Sequence, residues 1–176
     1  MRLLSERGEA VDSNTIESAY RKYASEAYLF SFSLCKNRDI AEDIVSEAFV
    51  KALLSVSVSE DNFKLWLLRV CKTTWIDMCR RNRYVSEKSL DDILDIHGSD
   101  DVLHNIIRQE EKQAVTSALL ELPDLCREAI TLFYYNGVPQ VEIAELLGMT
   151  PGAVRTLLYR GRKILYEKLK EVHNEL

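Results

Sequence analysis

Arg155, Thr156, Tyr159, Arg160 and Lys163 recur at the intervals that collect side chains on one face of an α-helix. Their chemistry is that of hydrogen-bond donors to nucleic acid. An arginine fork matches guanine O6 and N7, Thr and Tyr hydroxyls reach base edges or phosphates, and lysine acts mainly as a point charge. From Gly152 to Lys163 the chain carries Arg155, Arg160, Arg162 and Lys163 and no acid. A solvated amphipathic helix would also show a basic face, so the elements that position these residues decide the reading. Val154, Leu158, Gly161 and Leu165 fall on the opposite side, with Leu157 and Ile164 at the margin, which predicts a helix with one buried stripe. Before it, Val141, Ile143, Ala144 and Leu147 form a short apolar helical pattern that stops at Gly148, a residue free to adopt the left-handed conformation. Thr150 supplies an N-cap hydroxyl and Pro151 the first helical position. Two short helices joined by a glycine turn, the second cationic, predict a helix-turn-helix that lays its second helix in the major groove. Thr150 completes the candidate set for duplex DNA.

Two earlier segments carry further chemistry. In DIAEDIVSEAFVKALL, Asp39 is a predicted N-cap with Glu42 at the capping-box spacing, and Ile40, Ile44 and Ala48 make the buried side. Asp39, Asp43 and Glu47 project together with Glu42 beside them, an acidic face that is either solvated or docks on a basic partner. In FKLWLLRVCKTTWIDMCRRNR, Phe63, Trp66, Leu67, Val70, Thr74 and Met78 form the predicted apolar stripe, while Lys64, Lys72, Arg80, Arg81 and Arg83 lie outside it. Basic residues in a last turn complement the helix dipole, and a cationic helix with an aromatic such as Trp75 also suits unpaired bases, which stack on aromatic faces. A first helical pattern, through Ile16, Tyr20, Tyr23, Ala27, Phe30 and Leu34, reads as core, with Asn14 and Glu17 at the spacing of a capping box.

Charge distribution divides the chain. The formal net charge is −5 over 176 residues, yet residues 86–115 alone hold eight acids against three bases. Two nearly neutral helical blocks joined by an acidic linker describe the composition better than one acidic globule. The expected fold is all-α: residues 14–85 and 106–172 as two small helical domains, residues 86–105 as a flexible acidic linker. No run approaches the ~20 apolar residues that span a bilayer, and the polar start lacks a signal-peptide core, which predicts a cytoplasmic protein without membrane insertion. Cys35, Cys71, Cys79 and Cys126 lack CxxC pairing and are expected to be buried free thiols. His97, His104 and His173 are scattered, and there is no phosphate-binding glycine loop. The residues therefore assign no catalytic role, metal or cofactor.

The order of three motifs, DIAEDIVSEAFVKAL, FKLWLLRVCKTTWIDMCRRNR and LPDLCREAITLFYYNGVPQVEIAELLGMTPGAVRTLLYRGRKIL, resembles that of the extracytoplasmic-function (ECF, group 4) sigma factors of bacterial RNA polymerase, which keep only sigma regions 2 and 4. The likeness runs from about Ile16 to Lys170. It implies a dissociable initiation subunit that is not an enzyme. Asp43, Ser46, Glu47 and Leu53, with Asp39 and Glu42, match positions that grip the clamp helices of the largest core polymerase subunit; Ser46 stands where the family commonly has Gln. The loop Val56 to Asn62, including Ser59, matches the segment that captures a flipped base of the downstream promoter element, and Lys64 to Arg83 the helix beside the melting strand. Arg155, Thr156, Tyr159 and Arg160 match contacts to the upstream element, with Leu157 where many relatives have Arg. The segment Pro123 to Tyr135 corresponds to a surface facing the flap of the second-largest subunit. An anti-sigma protein is the expected regulator.

A stand-alone helix-turn-helix regulator and a helical protein-binding adaptor remain as other readings of the residues. The first would bind DNA tightly without polymerase, usually as a dimer; the second leaves the cationic face without a purpose.

Overall fold

The computed structural model describes residues 13–54, 62–81 and 113–174, and every regular element among them is helical. The linker at residues 86–105, Ser59 and Arg83 lie outside the described residues, as do the side chains of Asn14 and Ile16 and those of the three histidines. The chain divides into two compact units, Met1–Val85 and Ser86–Leu176.

In the first unit α1 (Ser13–Cys35), α2 (Arg38–Leu54) and α3 (Phe63–Arg81) pack against one another. Ala27, Phe30 and Leu34 of α1 are buried as their spacing predicts. The small residues Ala41, Ala48 and Ala52 of α2 are buried beside Ile44, Val45 and Phe49. Tyr20, expected in the core stripe, is half-exposed, with its ring edge-on to Phe49 at 4.8 Å between centroids. The α1–α2 turn needs only Lys36 and Asn37, and Lys36 takes the left-handed conformation at φ 54°. Asn37, not Asp39, caps α2: the Ile40 amide donates to Asn37 Oδ1 at 3.0 Å. The helix thus starts two residues before the capping box expected at Asp39 and Glu42, leaving both carboxylates free of that task. In α3 the buried side is turned toward Leu67, Leu68, Cys71 and Thr74, whereas Trp66 and Val70 of the predicted stripe are half-buried. The reason is tertiary, since α3 meets both α1 and α2 and buries a broader face than one stripe.

In the second unit residues 113–120 form α4, followed by α5 (Asp124–Ile130), a continuous π-helical turn (Thr131–Tyr135), α6 (Gln140–Leu147) and α7 (Pro151–Asn174). Arg127 is its largest fully buried side chain at 1% exposure. Its guanidinium donates to Leu122 O at 2.7 Å, Leu120 O at 3.4 Å and Asp124 Oδ1 at 2.6 Å, so one side chain satisfies carbonyls orphaned at the end of α4. The π turn closes through Asn136 N–H to Thr131 O at 3.1 Å and Val138 N–H to Leu132 O at 2.9 Å. Gly161 is buried where α7 meets α5: a Cβ there would lie 2.8 Å from Ile130 Cγ1, so the two helices approach as closely as a glycine allows.

Candidate functional site

The α6–α7 turn forms as its residues require. Gly148 sits at φ 66°, ψ 39°, and the Met149 and Gly148 amides return to Ala144 O and Glu145 O, the paired bonds of a Schellman ending. Thr150 Oγ1 then accepts from the Ala153 amide at 3.2 Å, which commits that hydroxyl oxygen to capping α7. Ile143 and Ala144 are buried, but Val141 is 59% exposed, a correction to the expected core. At about 100° per residue, Val141 lies some 160° round the helix from Ile143, so a helix only two turns long cannot bury both. Leu146 takes the buried place instead.

On α7, Val154, Leu158 and Gly161 face inward, Leu157, Ile164 and Leu165 are half-buried, and Arg155, Thr156, Tyr159, Arg160 and Lys163 are all exposed. Thr156 donates its hydroxyl proton to Gly152 O at 3.1 Å, leaving the oxygen lone pairs outward. Among the described residues, the ion pairs of this unit are Arg127–Asp124 and Lys168–Glu121, and neither uses a cation of this face. Arg162, at the edge of the face, donates to the phenol oxygen of Tyr134 at 3.1 Å. Beyond Arg160 and Lys163, a shallow cleft of about 500 Å³ is lined by Pro123, Leu125, Cys126, Leu157 and Ile164. Leu157 closes the apolar margin expected of it.

On α2, Asp39, Glu42, Asp43, Ser46, Glu47 and Leu53 are exposed on one face. The structure adds Val50 and Leu54, 52% and 77% exposed, which the sequence reading missed. Each lies seven residues past an acid of the face, so helical spacing alone could have found them. Glu47 is held by Lys51 at 2.8 Å, and Lys51 also donates to the buried Thr74 hydroxyl of α3 at 3.0 Å.

The residues expected to meet melted DNA do not form one cluster. Asn62 and Lys64 sit at the start of α3, Lys72 and Trp75 near its middle, and Arg80 and Arg81 at its end, spread over roughly 27 Å of helix. Lys64 is half-buried in an ion pair with Glu26 at 2.5 Å, a tether the sequence did not reveal. Lys72 and Trp75 are half-buried; Arg80 and Arg81 are exposed, with Asp77 at 3.8 Å from Arg80.

All four cysteines are free, but only Cys71 and Cys126 are buried; Cys35 is half-buried and Cys79 exposed, against the expectation of four buried thiols. Burial pushes the Cys35 and Cys71 thiols up to about 11. Among the described residues, no cluster of His, Cys, Asp and Glu could hold a metal ion, and no helix is long and apolar enough to cross a membrane.

The first unit matches the model of sigma-70 region 2 over residues 19–84, and the second that of sigma-70 region 4 over residues 112–165. RNA polymerase sigma factor SigV of Bacillus subtilis is 30% identical over 151 residues, covering 81% of this chain and 84% of the relative. The ECF sigma factor SigM of the same organism is 29% identical, with 91% of this chain and 96% of the relative covered. The chain belongs to the ECF RNA polymerase sigma factors. Its function is accordingly that of an alternative sigma factor, directing promoter-specific transcription initiation. Among solved structures, the sigma factor RpoE of Bartonella quintana, in complex with the anti-sigma factor NepR, matches with a TM-score of 0.69 at 25% identity, covering 88% of this chain and 96% of that one. CnrH, solved with the cytosolic domain of CnrY, shares the fold at a TM-score of 0.63 and 20% identity, covering 91% and 90%.

Proposed function

We propose that this ECF factor divides initiation between its units. Residues 14–85 act as sigma region 2, residues 106–172 as region 4, and the acidic residues 86–105 join them. Asp39, Glu42, Asp43, Ser46, Glu47 and Leu53 dock on the clamp helices of core polymerase, with Val50 and Leu54 extending the contact through apolar surface. Asn62, Ser59, Lys72, Trp75, Arg80, Arg81 and Arg83 follow the melted downstream element, as stacking and cationic contacts to single strands require. Lys64 contributes there only after leaving Glu26. Thr156, Arg155, Tyr159, Arg160 and Lys163 read the upstream element in the duplex, Thr150 setting the pitch of their helix. The cleft at Leu125, Leu157 and Ile164 meets the polymerase flap. The factor works in the cytoplasm, performs no catalysis of its own, and is restrained by an anti-sigma protein, as RpoE is bound by NepR and CnrH by CnrY.

The observation that carries this reading is the exposed α7 face, whose cations have no carboxylate partner among the described residues. Run-off transcription of fragmented genomic DNA by purified core polymerase, with and without the protein, tests it. Transcripts that start at shared upstream and downstream elements only in its presence are expected. Tight DNA binding by the protein alone, without such transcripts, would instead make it a stand-alone regulator.

A further inference from the structure

Arg162 lies outside the set of residues that sequence reasoning assigned to DNA, and the phenol that holds it comes from the π turn rather than from α7. The guanidinium has only donors, so in the 3.1 Å bond to Tyr134 the phenol oxygen must accept. That leaves the Tyr134 hydroxyl proton free to donate elsewhere. Tyr134 is 51% exposed and Arg162 is exposed, so the remaining donors of both groups face solvent side by side. Arg162 has no carboxylate partner among the described residues. An arginine fork beside a phenolic O–H, with no acid to neutralise it, is matched to one phosphate group.

Placement favours a phosphate of the duplex. Arg155, Tyr159, Arg162 and Tyr166 succeed one another along a single exposed stripe of α7, and Arg162 stands about 10 Å along the axis from Arg155. The major groove is about 12 Å wide, so a helix whose first turn faces base edges carries its third turn toward the bordering strand. Tyr134 precedes the start of α6 by six residues, just ahead in the chain of the first helix of the helix-turn-helix, the one that crosses the backbone. We infer that Tyr134 and Arg162 form a phosphate clamp on promoter DNA at the edge of the upstream element, fixing register without reading sequence. This rests on the proposed reading of the upstream element by α7.

The test uses holoenzyme assembled from core polymerase and the full-length protein, on a promoter duplex found by the run-off experiment, with binding measured across a range of salt concentrations. Arg162→Gln is expected to lower affinity about fivefold near 0.15 M salt, equally for wild-type and point-mutated upstream elements, and to make the slope of log K against log salt shallower by about 0.9. Tyr134→Phe, which keeps the ring, should lower affinity by a smaller factor and add little in the Arg162→Gln background. Unchanged affinity and slope in Arg162→Gln, with Arg160→Gln still impaired, would overturn the clamp and leave upstream reading standing. Loss confined to particular upstream sequences would overturn it too, since Arg162 would then touch a base. If Arg160→Gln and Arg162→Gln both bind as wild type, upstream reading by α7 and the clamp fall together. Thermal melting of each variant separates these results from misfolding, because Tyr134→Phe and Arg162→Gln alter exposed groups only.

Discussion

Lys51 puts one ammonium between two jobs, holding Glu47 on the exposed face of α2 and satisfying the buried Thr74 hydroxyl of α3. Replacing it with Met leaves that hydroxyl without this donor at a residue 1% exposed, a loss of about 1–3 kcal/mol expected in the denaturation midpoint. Adding Thr74→Val should recover most of that stability, because removing both partners is nearly neutral. It should not recover affinity for core polymerase if Glu47 needs Lys51 for its orientation, and a pull-down of the double variant measures this. The thiols give a pH dependence of definite sign. With Cys35 and Cys71 raised from near 9 to about 11, the folded chain keeps protons that the unfolded chain has begun to release. Their contribution is therefore complete below pH 9 and is lost as pH rises toward 11. Urea midpoints should fall over that window, less steeply in Cys71→Ala, and iodoacetamide should label exposed Cys79 before half-buried Cys35 or buried Cys71.

At the scale of elements, caps and close approaches are the places where single changes act on a whole helix. Asn37→Ala removes the α2 cap and should cost about 1 kcal/mol by chemical denaturation, whereas Asp39→Ala should cost less because Asp39 caps nothing. Gly161→Leu drives a side chain into Ile130 and should destabilise the second unit by about 1–3 kcal/mol, if it folds at all. The helix-turn-helix is legible in the sequence because Gly148, Thr150 and Pro151 each impose a local backbone consequence that does not depend on distant chain. The cap of α2 is not, because Asp39 and Glu42 imitate a capping box while Asn37 competes two residues earlier. The inward face of α3 cannot be read from one stripe, since two neighbouring helices decide it. Val50 and Leu54 look like apolar filler although their spacing puts them on the acidic face, and no side-chain pattern marks Lys64 as the partner of Glu26. The π turn has no sequence signature of its own.

For the molecule as a whole, the separation into two units predicts that residues 14–85 and 106–172, produced separately, each remain helical and melt cooperatively, as circular dichroism would show. The first piece should retain core polymerase binding and the second should not support transcription alone; failure of either piece to fold would mean that the units depend on each other. The π turn carries a consequence of a different kind. A helix that closes from Thr131 to Asn136 contains, relative to an ordinary α-helix, one residue too many. Chain length itself is thus a specification at this point: deleting Phe133 would spare every chemical group of the clamp and let the Asn136 amide reach Thr131 O as an ordinary α-helical bond, yet turn Tyr134 about the helix axis and carry it away from Arg162.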